Sequence, residues 1–174
     1  MVTERRVYLS LGSNLGDRVG RLRSALDGLR AGGVAVDAVS PAYETAPWGV
    51  EDQPNFVNIA AVGETALAAG EILALAKQLE AAAGRDFDAP RWSARPLDID
   101  IVLIEGEQVA TEELTVPHAL MHERAFVLVP LADIAPAASH PGFGRTVEEL
   151  RDALPASARD GVWRLEGVEA EWYD

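Results

Sequence analysis

The chain has 174 residues, of which 48% are apolar and 25% are charged, and it contains no cysteine. This composition is typical of a globular domain, and it excludes a disulfide framework, a thiolate zinc site and a cysteine nucleophile. The net charge of −13 argues against nucleic-acid binding, which depends on neutralising many phosphates. Because no apolar stretch has the length of a membrane span and no signal-peptide core is visible, we expect one cytoplasmic domain over residues 1–174, without a membrane partner.

The predicted elements follow the order strand, helix, strand, strand, helix, strand. Val7 to Leu11 is a short apolar strand that ends in a turn-rich segment, and Asp17 can cap the helix that follows. Later strands are predicted over residues 34–43, 56–65 and 97–104, and later helices over residues 69–83, 125–134 and 147–154. This order predicts an α+β fold, namely a ferredoxin-like antiparallel sheet with helices packed on it as a three-layer αβα arrangement.

Two long loops interrupt this pattern, over residues 46–54 and 84–96, and each is rich in the proline and glycine that mark loops. Loops of this length in a compact domain often serve as lids or binding loops. The second loop carries Arg85, Arg91 and Arg95 in an otherwise acidic chain. These arginines supply the positive charge that bound phosphates would need.

The strand after this loop carries two acidic residues, Asp98 and Asp100, within an apolar run. Side chains two apart in a strand share one face, so the two carboxylates repel each other and lose hydration unless something offsets that cost. An isolated Asp-x-Asp pair is more often a turn former or a solvated pair. Beside three arginines, the pair instead favours Mg²⁺, which takes one or two carboxylates and fills its other positions with water and phosphates.

Phe56 and Asn58 share one face of the preceding strand, and an aromatic ring beside an amide suits a flat heterocycle. The alternative is a core phenylalanine with an asparagine that bonds to backbone, and Phe126, the candidate for the other side of the heterocycle, has the same alternative. His118 is a candidate phosphate ligand or acid, or else a structural histidine. Arg124 is a candidate phosphate ligand, or else part of a surface ion pair.

Lys77 and Glu80, one turn apart on the second helix, are typical of a solvated pair. The segment Gly12-Ser13-Asn14 lacks the spacing of a P-loop.

Together these segments resemble the 6-hydroxymethyl-7,8-dihydropterin pyrophosphokinase family of folate biosynthesis, over about Val7 to Pro136. The matching stretches, in order, are residues 11–17, 43–49, 52–58, 84–85, 91–92, 95, 97–100 and 114–118, followed by Arg124 and Phe126. The tail over residues 137–174 lies outside the resemblance and receives no role.

The resemblance implies transfer of pyrophosphate from ATP to the pterin hydroxymethyl group by a monomer, with release of AMP. Asp98 and Asp100 would hold two Mg²⁺ ions, Arg85 and Arg95 would act as catalytic residues on the phosphates, and Trp92 would close a lid. The implied pterin ligands are Thr45, Pro47, Trp48, Phe56, Asn58, Trp92 and Phe126. The implied ATP ligands are Lys77, Glu80, Arg85, Trp92, Arg95, Ile101, Thr115, His118 and Arg124. No residue stands out as a general base, and Asp98 is the candidate.

Phe87, Glu113 and Ala119 stand where relatives often place basic or aromatic ATP contacts, so those contacts are not carried over. Two other functions stay open at this point. A ferredoxin-like regulatory domain would bind a heterocycle without turnover, but it would need neither the acidic pair nor the arginines. An Asp-x-Asp sugar-nucleotide transferase usually needs a longer chain.

Overall fold

The computed structural model describes residues 3–46, 53–90, 94–168 and 172. Its strands are β1 (Arg5–Ser13), β2 (Val34–Val39), β3 (Tyr43–Thr45), β4 (Phe56–Thr65), β5 (Asp98–Ile104), β6 (Val109–Ala110), β7 (Thr115–Val116), β8 (Ser139–His140), β9 (Arg145–Thr146) and β10 (Val162–Arg164). Its helices are α1 (Arg18–Ala31), α2 (Ala69–Ala82), α3 (Ala125–Ile134), α4 (Val147–Asp152) and α5 (Ala156–Asp160), with one 3₁₀ turn at Met121–Glu123.

The main sheet has the order β10-β3-β4-β1-β5, and β2 pairs with the other half of β4. Every pairing in it is antiparallel. Strands β2, β4, β1 and β5 therefore stand in the order of a ferredoxin-like sheet, and the predicted fold class is confirmed. Within the described ranges, no helix combines the length and the apolar character needed to cross a membrane.

Alternation along the central strands gives the sheet two different faces. Leu9, Leu11 and Ile59 point to the face covered by α1 and α2, where they join the larger hydrophobic core. Ala60 and Val102 point to the other face, where α3 covers them in a second core. The same alternation places polar side chains of β1, β4 and β5 on the α3 face, beyond the part that α3 covers, and this open part forms the functional site.

Helix α1 begins as predicted, because the Asp17 side chain accepts a hydrogen bond of 3.0 Å from the Gly20 amide. Its apolar stripe of Leu22, Leu26 and Leu29 is fully buried against the sheet. Such a cap contributes about 1 kcal/mol to helix stability and fixes where the turn after β1 ends.

The prediction of one strand over residues 34–43 is wrong, since the chain bends between β2 and β3. Pro41 lies at the bend and has no amide to give to a ladder. Ser40 makes the hydrogen bonds to β4 that Pro41 cannot make. Its amide donates to the Ala60 carbonyl at 2.9 Å, and its hydroxyl accepts from the Ala60 amide at 2.8 Å. The bend turns β3 towards the open part of the sheet.

The C-terminal segment, in which the sequence predicts one helix over residues 147–154, also contributes a strand to the main sheet. Strand β10 pairs with β3, and the Leu165 amide donates to the Ala42 carbonyl at 2.8 Å. Trp172 lies in the larger core with 2% of its surface exposed. The tail thus covers the edge of β3, the strand that leads into the first long loop.

Candidate active site

A cavity of about 350 Å³ opens on the α3 face, beyond the end of α3. Strands β1, β4 and β5 form its floor, and side chains from α2, α3 and the loops around them form its walls. The described residues that line it are Ser10, Gly12, Thr45, Ala46, Phe56, Asn58, Leu73, Lys77, Glu80, Arg85, Arg95, Asp98, Ile99, Asp100, His118, Arg124 and Phe126.

Asp98 and Asp100, which we call the acidic pair, lie on the floor and share the face that alternation predicts. Their side chains keep 25% and 29% of their surface exposed. The β1 residues paired with them are Gly12 and Ser10, so the neighbouring strand brings no positive charge. Burial raises the pKa of Asp100 to about 7, and the negative charge of Asp98 adds to the rise. The site therefore holds a negative charge that a bound cation would stabilise.

Two arginines from the second long loop reach the acidic pair. Arg85 donates from Nη1 to Asp98 Oδ1 at 2.9 Å, and Arg95 donates from Nη1 to Asp98 Oδ2 at 3.0 Å. Each arginine side chain is 20% exposed, so both ion pairs are partly shielded from water. Each oxygen of Asp98 thus has its own guanidinium partner, and these charge-assisted hydrogen bonds stabilise the ionised carboxylate.

Lys77 and Glu80 do not form the solvated pair that is typical of their spacing, because the Glu80 side chain is only 6% exposed. Glu80 accepts hydrogen bonds from Arg85 Nη1 and, at 3.0 Å, from the Ile99 amide at the edge of β5. Burial raises the pKa of Glu80 to about 7, although the Ile99 amide and Arg85 oppose the rise. Glu80 therefore ties α2 to β5 and steadies Arg85, whereas Lys77 remains exposed at the cavity wall.

Phe56, Asn58 and Thr45 form the wall on the β4 side, which we call the amide wall. Asn58 is 4% exposed and donates from Nδ2 to Thr45 Oγ1 at 2.8 Å, so its partner is a side chain and not backbone. Gly12 makes this placement possible, because a Cβ there would stand 2.6 Å from Asn58 Oδ1 and 3.4 Å from the Phe56 ring. Phe126 lines the same cavity from α3.

His118 and Arg124 approach the acidic pair from the segment before α3. His118 Nδ1 accepts from the Leu120 amide at 3.2 Å, which places the ring proton on Nε2, 4.0 Å from Asp100 Oδ1. Burial lowers the pKa of His118, and the positive charge of Arg124 lowers it further. Arg124 lies over the Phe126 ring, with 5.5 Å from its Cζ to the ring centroid. Burial and Arg124 thus favour the neutral form of the histidine.

Not every predicted site residue lies here. The Ile101 side chain is buried in the core on the opposite face, and Thr115 is exposed on β7, so neither lines the cavity. Pro47, Trp48, Arg91 and Trp92 lie outside the described residues.

Prediction from the sequence missed the role of Asn14, which is fully buried. Its amide donates to the Arg95 carbonyl at 3.1 Å, and its Oδ1 accepts from the Arg95 amide at 2.7 Å. Its Nδ2 donates to Gln53 Oε1 at 2.7 Å and to the Pro54 carbonyl at 3.1 Å. Asn14 thus joins the end of β1 to both long loops. The signals in the sequence were a polar residue in the turn that directly follows an apolar strand, and its place in the matching stretch of residues 11–17.

Fold and cavity together define an α+β protein with a ligand site on one face of an antiparallel sheet. The family model described as 7,8-dihydro-6-hydroxymethylpterin-pyrophosphokinase (HPPK) matches residues 8–136. The chain therefore belongs to the HPPK family, and it is an enzyme of the pyrophosphokinase class.

Several curated relatives support this assignment. The 2-amino-4-hydroxy-6-hydroxymethyldihydropteridine pyrophosphokinase of Methylorubrum extorquens is 43% identical over 162 residues, which cover 92% of this chain and 99% of the relative. The enzyme of the same name from Bacillus subtilis is 47% identical over 128 residues, covering 73% and 76%. The mitochondrial folate synthesis bifunctional protein of Arabidopsis thaliana is 42% identical over 132 residues, but these are only 24% of its length.

Solved structures show the same fold at low identity. A crystal structure of Plasmodium falciparum HPPK-DHPS with pterin and p-hydrobenzoate matches 94% of this chain with a TM-score of 0.69 and 13% identity. The match spans 48% of that chain, so this chain is about half its length. At this identity the likeness supports the fold alone.

Proposed function

We propose that the protein transfers pyrophosphate from ATP to the hydroxymethyl group of 6-hydroxymethyl-7,8-dihydropterin and releases AMP. The observation that carries this proposal is that one cavity contains both an acidic pair with two arginines and the amide wall. The first half suits a metal-bound polyphosphate, and the second half suits a flat polar heterocycle. A site for only one of the two ligands would not need both halves.

The residues present fit magnesium. In the described part of the chain, no group of three or more His, Cys, Asp or Glu side chains could hold a metal ion. Magnesium does not need such a group, since it takes one or two carboxylates and completes its shell with waters and phosphate oxygens. We propose that Asp98 and Asp100 hold two Mg²⁺ ions together with ATP. The ions would neutralise the triphosphate and stabilise the charge that develops during transfer.

The two arginines would then change partners. Arg85 and Arg95 occupy both oxygens of Asp98, and a magnesium ion needs at least one of these oxygens. We infer that they move from Asp98 to the phosphates of ATP when Asp98 binds metal. Guanidinium groups bind phosphate oxygens in the same forked geometry in which they bind carboxylates. The exchange therefore leaves the number of hydrogen bonds unchanged. Lys77, His118 and Arg124 also line the cavity and are proposed as further ATP ligands.

The pterin would lie against the amide wall, with Phe56 on one side and Phe126 on the other. Asn58 gives one N–H to Thr45, which leaves one donor and one acceptor oxygen for the edge of a heterocycle. Pro47, Trp48 and Trp92 enter this proposal only through the family resemblance.

In the transfer, the pterin hydroxymethyl oxygen attacks the β-phosphorus of ATP, and the bond from that phosphorus to the bridging oxygen of AMP breaks. AMP leaves with the electron pair, and we assign the hydroxyl proton to the Asp98 oxygen that a bound metal ion would leave open, since its arginine donor would have moved to the phosphates. Phosphoryl-type transfer needs little covalent chemistry from the protein, so catalysis rests on positioning and on charge.

The test is incubation of the protein with ATP, magnesium and 6-hydroxymethyl-7,8-dihydropterin, followed by separation of the nucleotides. We expect AMP and pterin diphosphate in equal amounts, and we expect Asp100→Ala to abolish both. Asp27→Ala, which removes an exposed carboxylate of α1, is the matched control. Formation of ADP, or pterin binding without any AMP, would overturn the proposal, and the second result would favour a regulatory binding domain.

A further inference from the structure

The second long loop, residues 84–96, which we call the arginine loop, is attached to the body of the protein at two roots. Its second root is Arg95, whose amide and carbonyl both bond to Asn14. Its first root is the end of α2, where the Ala83 carbonyl accepts a hydrogen bond of 2.8 Å from Arg21 Nη1. Each root lies within two residues of an arginine that reaches Asp98.

Arg21 extends from α1 and holds a second carbonyl as well. Its Nε donates to the Leu15 carbonyl at 3.2 Å, so one guanidinium joins the turn after β1 to the end of α2. The turn closes around the guanidinium at Gly16, which has a φ of +75° and would place a Cβ only 3.1 Å from Arg21 Nη2. A planar fork with several donors at fixed angles suits two carbonyls at once, which a lysine ammonium does less well.

The chain leaves α2 abruptly at this root. Gly84 has a φ of +94°, and the next amide, that of Arg85, donates back to the Glu80 carbonyl at 3.1 Å. The carbonyls at a helix C-terminus carry partial negative charge, so a guanidinium there is favourable. Since only Gly84 separates Ala83 from Arg85, the position of the Ala83 carbonyl decides where the Arg85 backbone begins.

We propose that Arg21 is a positioning residue for the reaction, because it fixes the first root of the arginine loop and thereby the placement of Arg85 on its anionic partner. This inference rests on the proposed function only for the role of Arg85. The turn of residues 14–17 is then the common base of both arginines: Leu15 holds the first root through Arg21, and Asn14 holds the second root directly.

A first experiment measures the structural part without any turnover. We expect Arg21→Ala to speed amide hydrogen exchange about tenfold at residues 84–88, since a root that loses its partner opens more often. Exchange in β4 should stay unchanged. The matched control is Arg30→Ala on the same helix, because Arg30 forms an ion pair with Asp27 at 3.6 Å and this pair lies within α1. Unchanged exchange at residues 84–88 in Arg21→Ala would overturn the proposal.

A second experiment separates positioning from general stability. In the AMP assay, we expect Arg21→Ala to lower kcat about tenfold or more, because small displacements of a catalytic group are costly, while the KM for pterin stays unchanged. Arg21→Lys should retain part of the rate. In an Arg85→Ala background, Arg21→Ala should cause no further loss, because its effect passes through Arg85.

Losses that multiply in the double variant, or a fall confined to the melting temperature, would overturn the role of Arg21. If Arg21→Ala does not fold, Arg21→Lys carries the same comparison. Absence of AMP with the wild-type protein would instead overturn the proposed function, and the hydrogen-exchange result would stand by itself.

Discussion

Replacing Asp100 by asparagine should make the metal-free protein more stable while it abolishes turnover. Burial and the charge of Asp98 raise the pKa of Asp100 from 3.8 to about 7. Each tenfold change in proton affinity corresponds to about 1.4 kcal/mol, so the ionised carboxylate costs the folded state at most about 4 kcal/mol. Because 29% of the Asp100 side chain stays exposed to water, which screens its charge, we expect a gain of about 2 kcal/mol above pH 7.

Proton linkage gives the direction in which the stability of the wild type changes with pH. The folded state binds the Asp100 proton more tightly than the unfolded chain does, so this group's stabilising contribution is complete below about pH 4 and is lost as the pH rises to about 7. The advantage of Asp100→Asn should therefore be larger at about pH 8 than at about pH 5.5.

Urea unfolding of the wild type and the variant at both pH values, with a metal chelator present, measures this difference. The control is Asp98→Asn, which weakens the ion pairs with Arg85 and Arg95 and should lower stability. If Asp100→Asn is less stable than the wild type at about pH 8, the electrostatic account of the floor is refuted.

Three further predictions concern the same cavity. Affinity for magnesium, measured by calorimetry with a non-hydrolysable ATP analogue, should fall about tenfold for each pH unit below about 7, because the metal must displace the Asp100 proton; a flat profile would contradict this. Gly12→Ala should weaken pterin binding by about 1–3 kcal/mol, since its Cβ would stand 2.6 Å from Asn58 Oδ1. The control is Gly70→Ala, which meets nothing within 4 Å, and equal loss in both variants would refute the steric argument. Asn14→Ala should increase proteolysis in both long loops and lower kcat, because several buried polar groups lose their partner; cleavage confined to one loop would contradict its joining role.

Local patterns were sufficient to predict the ferredoxin-like order of the sheet and the shared face of the acidic pair, but not the bend between β2 and β3 or strand β10. The period of two along β5 places Asp98 and Asp100 on one face whatever surrounds them, because a strand alternates its side chains. The order of apolar segments predicted the ferredoxin-like sheet in the same way, since strands and helices bury their apolar faces through their own periodicity. Asp17 was recognisable as a cap because its partner, Gly20, lies three residues away.

Groups that depend on partners far along the chain were not predictable in this way. Glu80 and Lys77 have the spacing of a solvated helix pair, yet Glu80 is buried because β5 offers it the Ile99 amide and the arginine loop offers it Arg85.

Asn14 is a turn residue by sequence, and only the folded chain brings Gln53 and Arg95 to it. The sequence by itself determined which residues face which side of each strand and helix, because those directions follow from backbone geometry. The tertiary structure decided which polar side chains are buried and paired, because the cost of burial is offset only where a distant segment supplies the hydrogen-bond partner.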